Sequence, residues 1–192
     1  MKPIVPLKTE HGLIDQMIKL ARDETLKMAT KDAFSPAFID TLVDFLRTYA
    51  DDTHHGKEED ILFRDLRDKD MSAEDLQLME ELVQEHVDAR EMVRALVAAK
   101  ERHLQGDREA LESVIRNLAG LIELYPEHIK KEDDVFFPAS MAYFTASEQK
   151  AMLEKMYEVD RQMIHRKYQS VVQRLRDQRM GIQTSEEYAP GG

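Results

Sequence analysis

The chain has no cysteine and no tryptophan, and only seven glycines and six prolines among 192 residues. Without cysteine there is no disulfide, no iron–sulfur cluster, no zinc–thiolate site and no thiol nucleophile. Period-2 alternation and Asn-Gly turns are missing, which argues against a β-rich fold. No run approaches 18 uninterrupted apolar residues, so no membrane span is expected. The opening MKPIVPLKTEHG lacks an apolar core of signal-peptide length, and a soluble cytoplasmic protein is the expectation. Positive charge is also short. Lys and Arg number 27 against 38 Asp and Glu, giving a net charge of -11 and a pI near 5.1. An acidic surface of this kind argues against nucleic acid or anionic lipid as the main partner.

What is present is the composition of a helical globular domain, 42% apolar and 34% charged. Start and stop signals mark five helices. The first runs from about Leu7 to Met28, with Leu7, His11, Ile14, Ile18 and Ala21 on one stripe. The second opens at Ser35-Pro36, a cap followed by proline at the first helical position, and continues to about Leu66. The third opens at Ser72-x-x-Asp75 and stops at Gly106. The fourth is capped by Asp107, ends before Pro138 and carries Pro126 inside it. That proline is either a tolerated kink or an irregularity that aims His128 inward. The fifth opens at the capping box Thr145-x-x-Glu148 and runs to about Gln178. The predicted fold is all-α: an antiparallel up-down four-helix bundle with an additional C-terminal fifth helix. One domain is expected over residues 1–178, with a flexible tail over 179–192.

Two stretches repeat each other 74 residues apart without a gap, His54-His-Gly-Lys-Glu-Glu-Asp-Ile-Leu-Phe63 and His128-Ile-Lys-Lys-Glu-Asp-Asp-Val-Phe-Phe137. In each, a His and a Glu stand four apart, on one face of an α-helix. A single His-x-x-x-Glu is a common solvated pair, but a shared ten-residue pattern around it is not. A carboxylate on an apolar stripe is costly unless something compensates it. His11 and His86 fall on the buried stripes of the first and third helices. His11, His54, Glu58, His86, His128 and Glu132 therefore read as the ligands of a two-metal site. His11 and His54 would cap one ion, His86 and His128 the other, with both glutamates bridging. His165 on the fifth helix is either an interface histidine or a further nitrogen ligand. His55, rotated about 100° from His54 on an α-helix, is expected outside the ligand set, bonded to Asp51 or Glu59. Tyr49 and Tyr125 lie within a turn or two of ligands and read first as core aromatics. Imidazole and carboxylate without thiolate suit iron, manganese or zinc, and two bridged ions favour iron or manganese.

At Glu10-His11, the stretch His54–Phe63, Glu85-His86-x-x-x-Arg90 and His128-x-x-x-Glu132 running into Phe-Phe-Pro138, the chain resembles the hemerythrin-like, or HHE cation-binding, family. The resemblance spans roughly residues 7–175. It implies a four-helix bundle around a non-heme, oxo- or hydroxo-bridged pair of iron ions, with manganese or zinc as the less favoured metals. It also implies a small ligand: dioxygen, nitric oxide or peroxide. Members carry, store or sense dioxygen, respond to iron or redox state, or act on nitric oxide or peroxide. One position departs from the oxygen carriers, whose third helix reads His-x-x-x-His. Here the second position is Arg90, which stays protonated and cannot ligate. Arg90 is expected to pair with a carboxylate such as Glu59 or Asp133. Three functions follow: a binding or sensing protein, which would signal through a separate protein partner, a di-iron enzyme acting on peroxide or nitric oxide, and a metal-free interaction bundle.

Overall fold

The computed structural model describes residues 2–31, 34–161 and 164–179, without the side chains of 31 and 164–166. Among these residues every regular element is helical. Helix α1 spans Ile4–Lys31. Helix α2, Pro36–Phe45, is capped by Ser35, whose hydroxyl accepts from the Phe38 amide at 3.3 Å. The chain then winds on through π1, Leu46–His55, and π2, Glu58–Phe63, both π-helical, and ends in the short α3, Arg64–Leu66. Helix α4 spans Ala73–Leu104, capped by Ser72 and followed by Gly106, whose φ of 98° is the left-handed conformation that stops a helix. Helix α5, Ala110–Lys131, runs through Pro126 into a third π-helical stretch, π3, Glu132–Phe136, and then the short α6, Phe137–Ser140. Asp107 accepts from the Ala110 amide at 3.2 Å, the start signal expected of it.

The C-terminal stretch expected as one helix holds two elements. Helix α7, Ala146–Asp160, opens with the complete Thr145/Glu148 capping box and is capped at its C-terminus by Arg161. Helix α8 spans Ile164–Arg179. The division has a packing reason, because the two helices bury their apolar residues in different places. Met152 and Met156 of α7 join one apolar cluster, whereas Tyr168 and Val172 of α8 join another. The tail expected over 179–192 lies, beyond Arg179, outside the described residues.

Those two clusters organise the core. α4 packs along α5, α5 along α1, and α8 against α1 and π1. Along α1, Leu7 belongs to the first cluster and Leu13, Ile14 and Met17 to the second. From α2 into π2 the order reverses, with Phe45 and Ala50 before Ile61 and Leu62. It reverses again on α4, where Met79 and Leu82 precede Ala89 and Val93, and once more on α5 and π3, where Tyr125 precedes Phe136. At each crossing from one cluster to the other sits a buried polar group: Glu10 and His11, then Thr53 to Glu58, then His86, then His128 and Glu132. Apolar burial on both sides thus encloses one polar layer. Among the described residues no helix is long and apolar enough to cross a membrane.

Candidate metal centre

The polar layer is built by segments that are not ordinary α-helix. In a π-helix the hydrogen bond spans five residues rather than four, so the turn is wider and successive side chains diverge by less than 100°. Both His54 and His55 therefore point inward from π1, at 1% and 2% exposure. The wider turn also frees the Thr53 hydroxyl to donate to the Thr48 carbonyl, 2.7 Å away. Glu58 and Glu132 open π2 and π3 and are fully buried.

Two groups of potential ligand atoms result, each with its atoms within 4.8 Å of one another: His11, His54, Glu58 and Glu132, and His55, Glu58, His86 and His128. Glu58 belongs to both. The ring nitrogens Nε2 of His11, His54, His86 and His128 lie 3.1 to 3.5 Å from oxygens of Glu58 or Glu132. Two donors held at right angles about 2.1 Å from one ion are about 3 Å apart, so the spacing suits shared coordination. The contacts do not serve as hydrogen bonds. Nε2 of His11 and His54, and all four carboxylate oxygens of Glu58 and Glu132, are buried without a hydrogen-bond partner. Orphaned groups of this kind are expensive unless a cation compensates them. Nε2 of His86 and of His128 face each other at 3.2 Å. Two neutral imidazole lone pairs at that distance repel unless a proton or an ion lies between them. The residues fit a pair of hard or borderline cations.

Behind the inward nitrogens stands a second layer, four of whose five contacts cross-link different helical segments. Nδ1 of each of the five histidines faces a carboxylate: His11 to Asp133 at 3.0 Å, His54 to Glu10 at 2.8 Å, His55 to Asp51 at 3.4 Å, His86 to Glu59 at 2.7 Å and His128 to Glu85 at 2.9 Å. A carboxylate accepts the Nδ1 proton, so in the neutral ring Nε2 is left as the lone pair that binds metal. Each carboxylate in turn meets a cation. Lys57 pairs with Glu10, Lys131 with Glu85, Lys8 with Asp133, and Arg90 with both Glu59 and Asp51. Lys57 is completely buried and also donates to Asp160 at the end of α7, 2.7 Å away.

Burial pushes His54, His55 and His86 below the ordinary imidazole value, which keeps them neutral. Burial acts the same way on His11, but Asp133 and Glu132 outweigh it and push that ring up to about 9. Burial, reinforced by the neighbouring Glu132, lifts Glu58 well above the carboxylate range. For Glu132 burial pulls in the same direction, but the surrounding histidines, His128 first, win and bring it below that range. Without a metal, the protein thus favours extra protons at His11 and Glu58, where a cation would supply the positive charge.

Residues 2–140 match the hemerythrin HHE cation-binding domain. The chain belongs to this family. Uncharacterized proteins of Mycobacterium bovis and Mycobacterium tuberculosis are similar to this HHE-domain chain, at 22% identity over 187 residues, covering 96% of it and 72% of their own length. No solved structure was found to match it.

The six residues His11, His54, Glu58, His86, His128 and Glu132 are brought together by the fold. His165 lies on α8, and its side chain is outside the described ones. Arg90 pairs with Glu59 as expected and with Asp51 rather than Asp133, which instead supports His11. Tyr125 is buried, with its ring 6.3 Å from that of His55. His55, expected outside the ligand set and bonded to Asp51 or Glu59, does face Asp51, but it also lies within one of the two groups of potential ligand atoms. The α-helical rotation used to set it aside does not apply to π1. The sequence reading also missed Glu10, Glu85 and Lys57 as supports. The available signal was the lysine three residues after the aligned histidine in both repeats, Lys57 and Lys131, together with the two dipeptides Glu10-His11 and Glu85-His86.

Proposed function

We propose that this protein holds two iron ions in its buried polar layer and binds dioxygen or a related small oxidant there, for sensing, storage or stress response. The observation that carries the reading is the set of orphaned atoms: the Nε2 nitrogens of His11 and His54 and the four oxygens of Glu58 and Glu132. His11, His54, Glu58, His86, His128 and Glu132 are the proposed ligands, with Glu58 shared between the ions. Bound iron would supply the redox change and the coordination positions for the small ligand. The chain holds His54 and His86 neutral, aims the Nε2 atoms of the ligand histidines inward and keeps water out with apolar packing on both sides. Iron is preferred to zinc because a two-ion, carboxylate-bridged site in a helix bundle is the chemistry of iron or manganese. The reversing order of the two clusters along four successive stretches supports an antiparallel up-down four-helix bundle. α7 and α8 then form the C-terminal addition to one domain over residues 1–178. A cytoplasmic location and a separate protein partner for any signal complete the proposal.

A second reading, a di-iron enzyme acting on peroxide or nitric oxide, is favoured by a groove of about 370 Å³ lined by His55, Arg90 and Tyr125, among others. It offers a substrate an approach to the His86 side of the layer. A larger cleft of about 680 Å³ between α1, α2 and α8 is lined by none of the candidate ligands. The test is to load the metal-free protein with ferrous iron under anaerobic conditions, admit dioxygen and then remove it. A spectral change that reverses supports the binding protein. Steady consumption of peroxide or nitric oxide that is lost in Glu58→Ala supports the enzyme. Neither response would overturn both readings.

A further inference from the structure

We propose that His55 is a fifth imidazole ligand, the third nitrogen donor of the His86 and His128 group, and that Arg90 positions it through Asp51. The inference rests on the metal reading above and concerns residues that reading does not use. Arg90 occupies the position at which an oxygen-carrier pattern would place a second histidine on α4, one turn beyond His86. A guanidinium cannot ligate, which leaves that side of the layer short of one nitrogen. His55 fills the shortage from another helix. It is 2% exposed, a ligand atom of its ring lies within 4.8 Å of those of Glu58, His86 and His128, and the ring stacks on that of His86 at 3.7 Å between centroids, nearly parallel at 10°.

On its Nδ1 side His55 resembles the other four inward histidines, with a longer contact of 3.4 Å to a carboxylate one turn away on its own helix. Its Nδ1 faces a carboxylate, Asp51, and that carboxylate is held by a cation. Arg90 Nε donates to Asp51 at 2.8 Å while its Nη2 donates to Glu59 at 2.6 Å. Glu59 in turn holds His86. One guanidinium therefore orients two adjacent rings through two carboxylates, a task that suits its fixed fork of donors and that lysine could not reproduce. The π-helical winding of π1 is what makes this possible, since it turns His54 and His55 toward the same layer. The consequence is an unequal pair of positions, one with two imidazoles and two carboxylates, the other with three imidazoles and the shared Glu58.

The test is a Co²⁺ titration of the metal-free protein, read by absorption and by the number of nitrogen ligands from X-ray absorption. Two ions on the wild type establish the reading on which this inference depends, and no binding would overturn both. In folded His55→Ala, one of the two ions is expected to bind at least about 100-fold more weakly, with one nitrogen fewer. His55 lines the groove described above, so added imidazole should reach the truncated site and restore binding. Arg90→His in the His55→Ala background should also restore it, by supplying the α4 nitrogen. Arg90→Gln alone should weaken the same ion by about 10- to 100-fold, the range for a group that orients a ligand. If His55→Ala fails to fold, His55→Gln keeps the volume and serves in its place. Two ions of unchanged affinity in either variant, or a loss that imidazole does not repair, would overturn the assignment.

Discussion

The two ten-residue repeats start from the same pattern and end with different surroundings. In each, the lysine three residues after the aligned histidine binds a glutamate on another helix, and that glutamate holds the aligned histidine. Lys57, Glu10 and His54 form one such chain, and Lys131, Glu85 and His128 form the other. In each, the acidic residue after the ligand glutamate supports the histidine of a further helix, Glu59 for His86 and Asp133 for His11. The halves part at the position after the aligned histidine. It is His55, buried in the polar layer, in one repeat, and Ile129, partly buried against the apolar core, in the other. They part again in depth, because Lys57 is wholly buried whereas Lys131 is 28% exposed. A near-symmetric scaffold thus carries two unequal positions.

The largest expected effects test which glutamate is shared. Glu58 belongs to both ligand groups, whereas Glu132 belongs to one and meets the other only at His128, whose Nε2 is 3.3 Å from its Oε2. Glu58→Ala should abolish stoichiometric binding of both ions, and Glu132→Ala should spare the His86 position relative to the His11 position, as read by metal content per chain. Equal losses in the two variants would break the comparison. Next come the lysines. Lys57→Met strips the cation from Glu10 and Asp160 in a buried setting, and unfolding in denaturant should show a loss of about 3–5 kcal/mol. Lys131→Met removes the partly exposed counterpart and should cost about 1 kcal/mol or less.

How much of this was legible beforehand follows from periodicity. The helices, their Ser35, Ser72 and Thr145 caps and the inward His54/Glu58 and His128/Glu132 pairs are local patterns, and the apolar stripe states them directly. The π-helical stretches are not local in that sense. Nothing in the residues of π1 marks its wider turn, and an α-helical wheel turns His55 away from the layer. Glu10 and Glu85 were hidden for another reason. Each serves a histidine on a different helix, while the histidine beside it in sequence is served from elsewhere.

His54, His55 and His86 are held below the ordinary value of 6.5, so on acidification the unfolded chain takes up protons that the folded chain refuses. Their combined effect is a metal-free protein that loses stability as pH falls below about 6.5. His11, raised to about 9, works in the opposite sense: its contribution is complete below 6.5 and disappears as pH rises through 9. The raised Glu58 carboxyl works in the same sense as His11, because the folded chain takes up its proton first. Melting temperatures of the metal-free protein should therefore fall from pH 7.5 to 5.5, since three lowered rings oppose two raised groups. At the position where the halves part, the expected effect is on stability alone. Ile129→Ala should cost about 1–2 kcal/mol, less than the roughly 2–5 kcal/mol of a full core truncation, because the side chain is only partly buried. It should leave metal content unchanged, unlike His55→Ala.

The most direct measurement is the metal content of the purified chain, taken with its optical spectrum before and after exposure to air. Two irons per chain, with the near-ultraviolet absorption of a coupled ferric pair appearing in air, is the predicted result. One zinc per chain, or no bound metal, would contradict it.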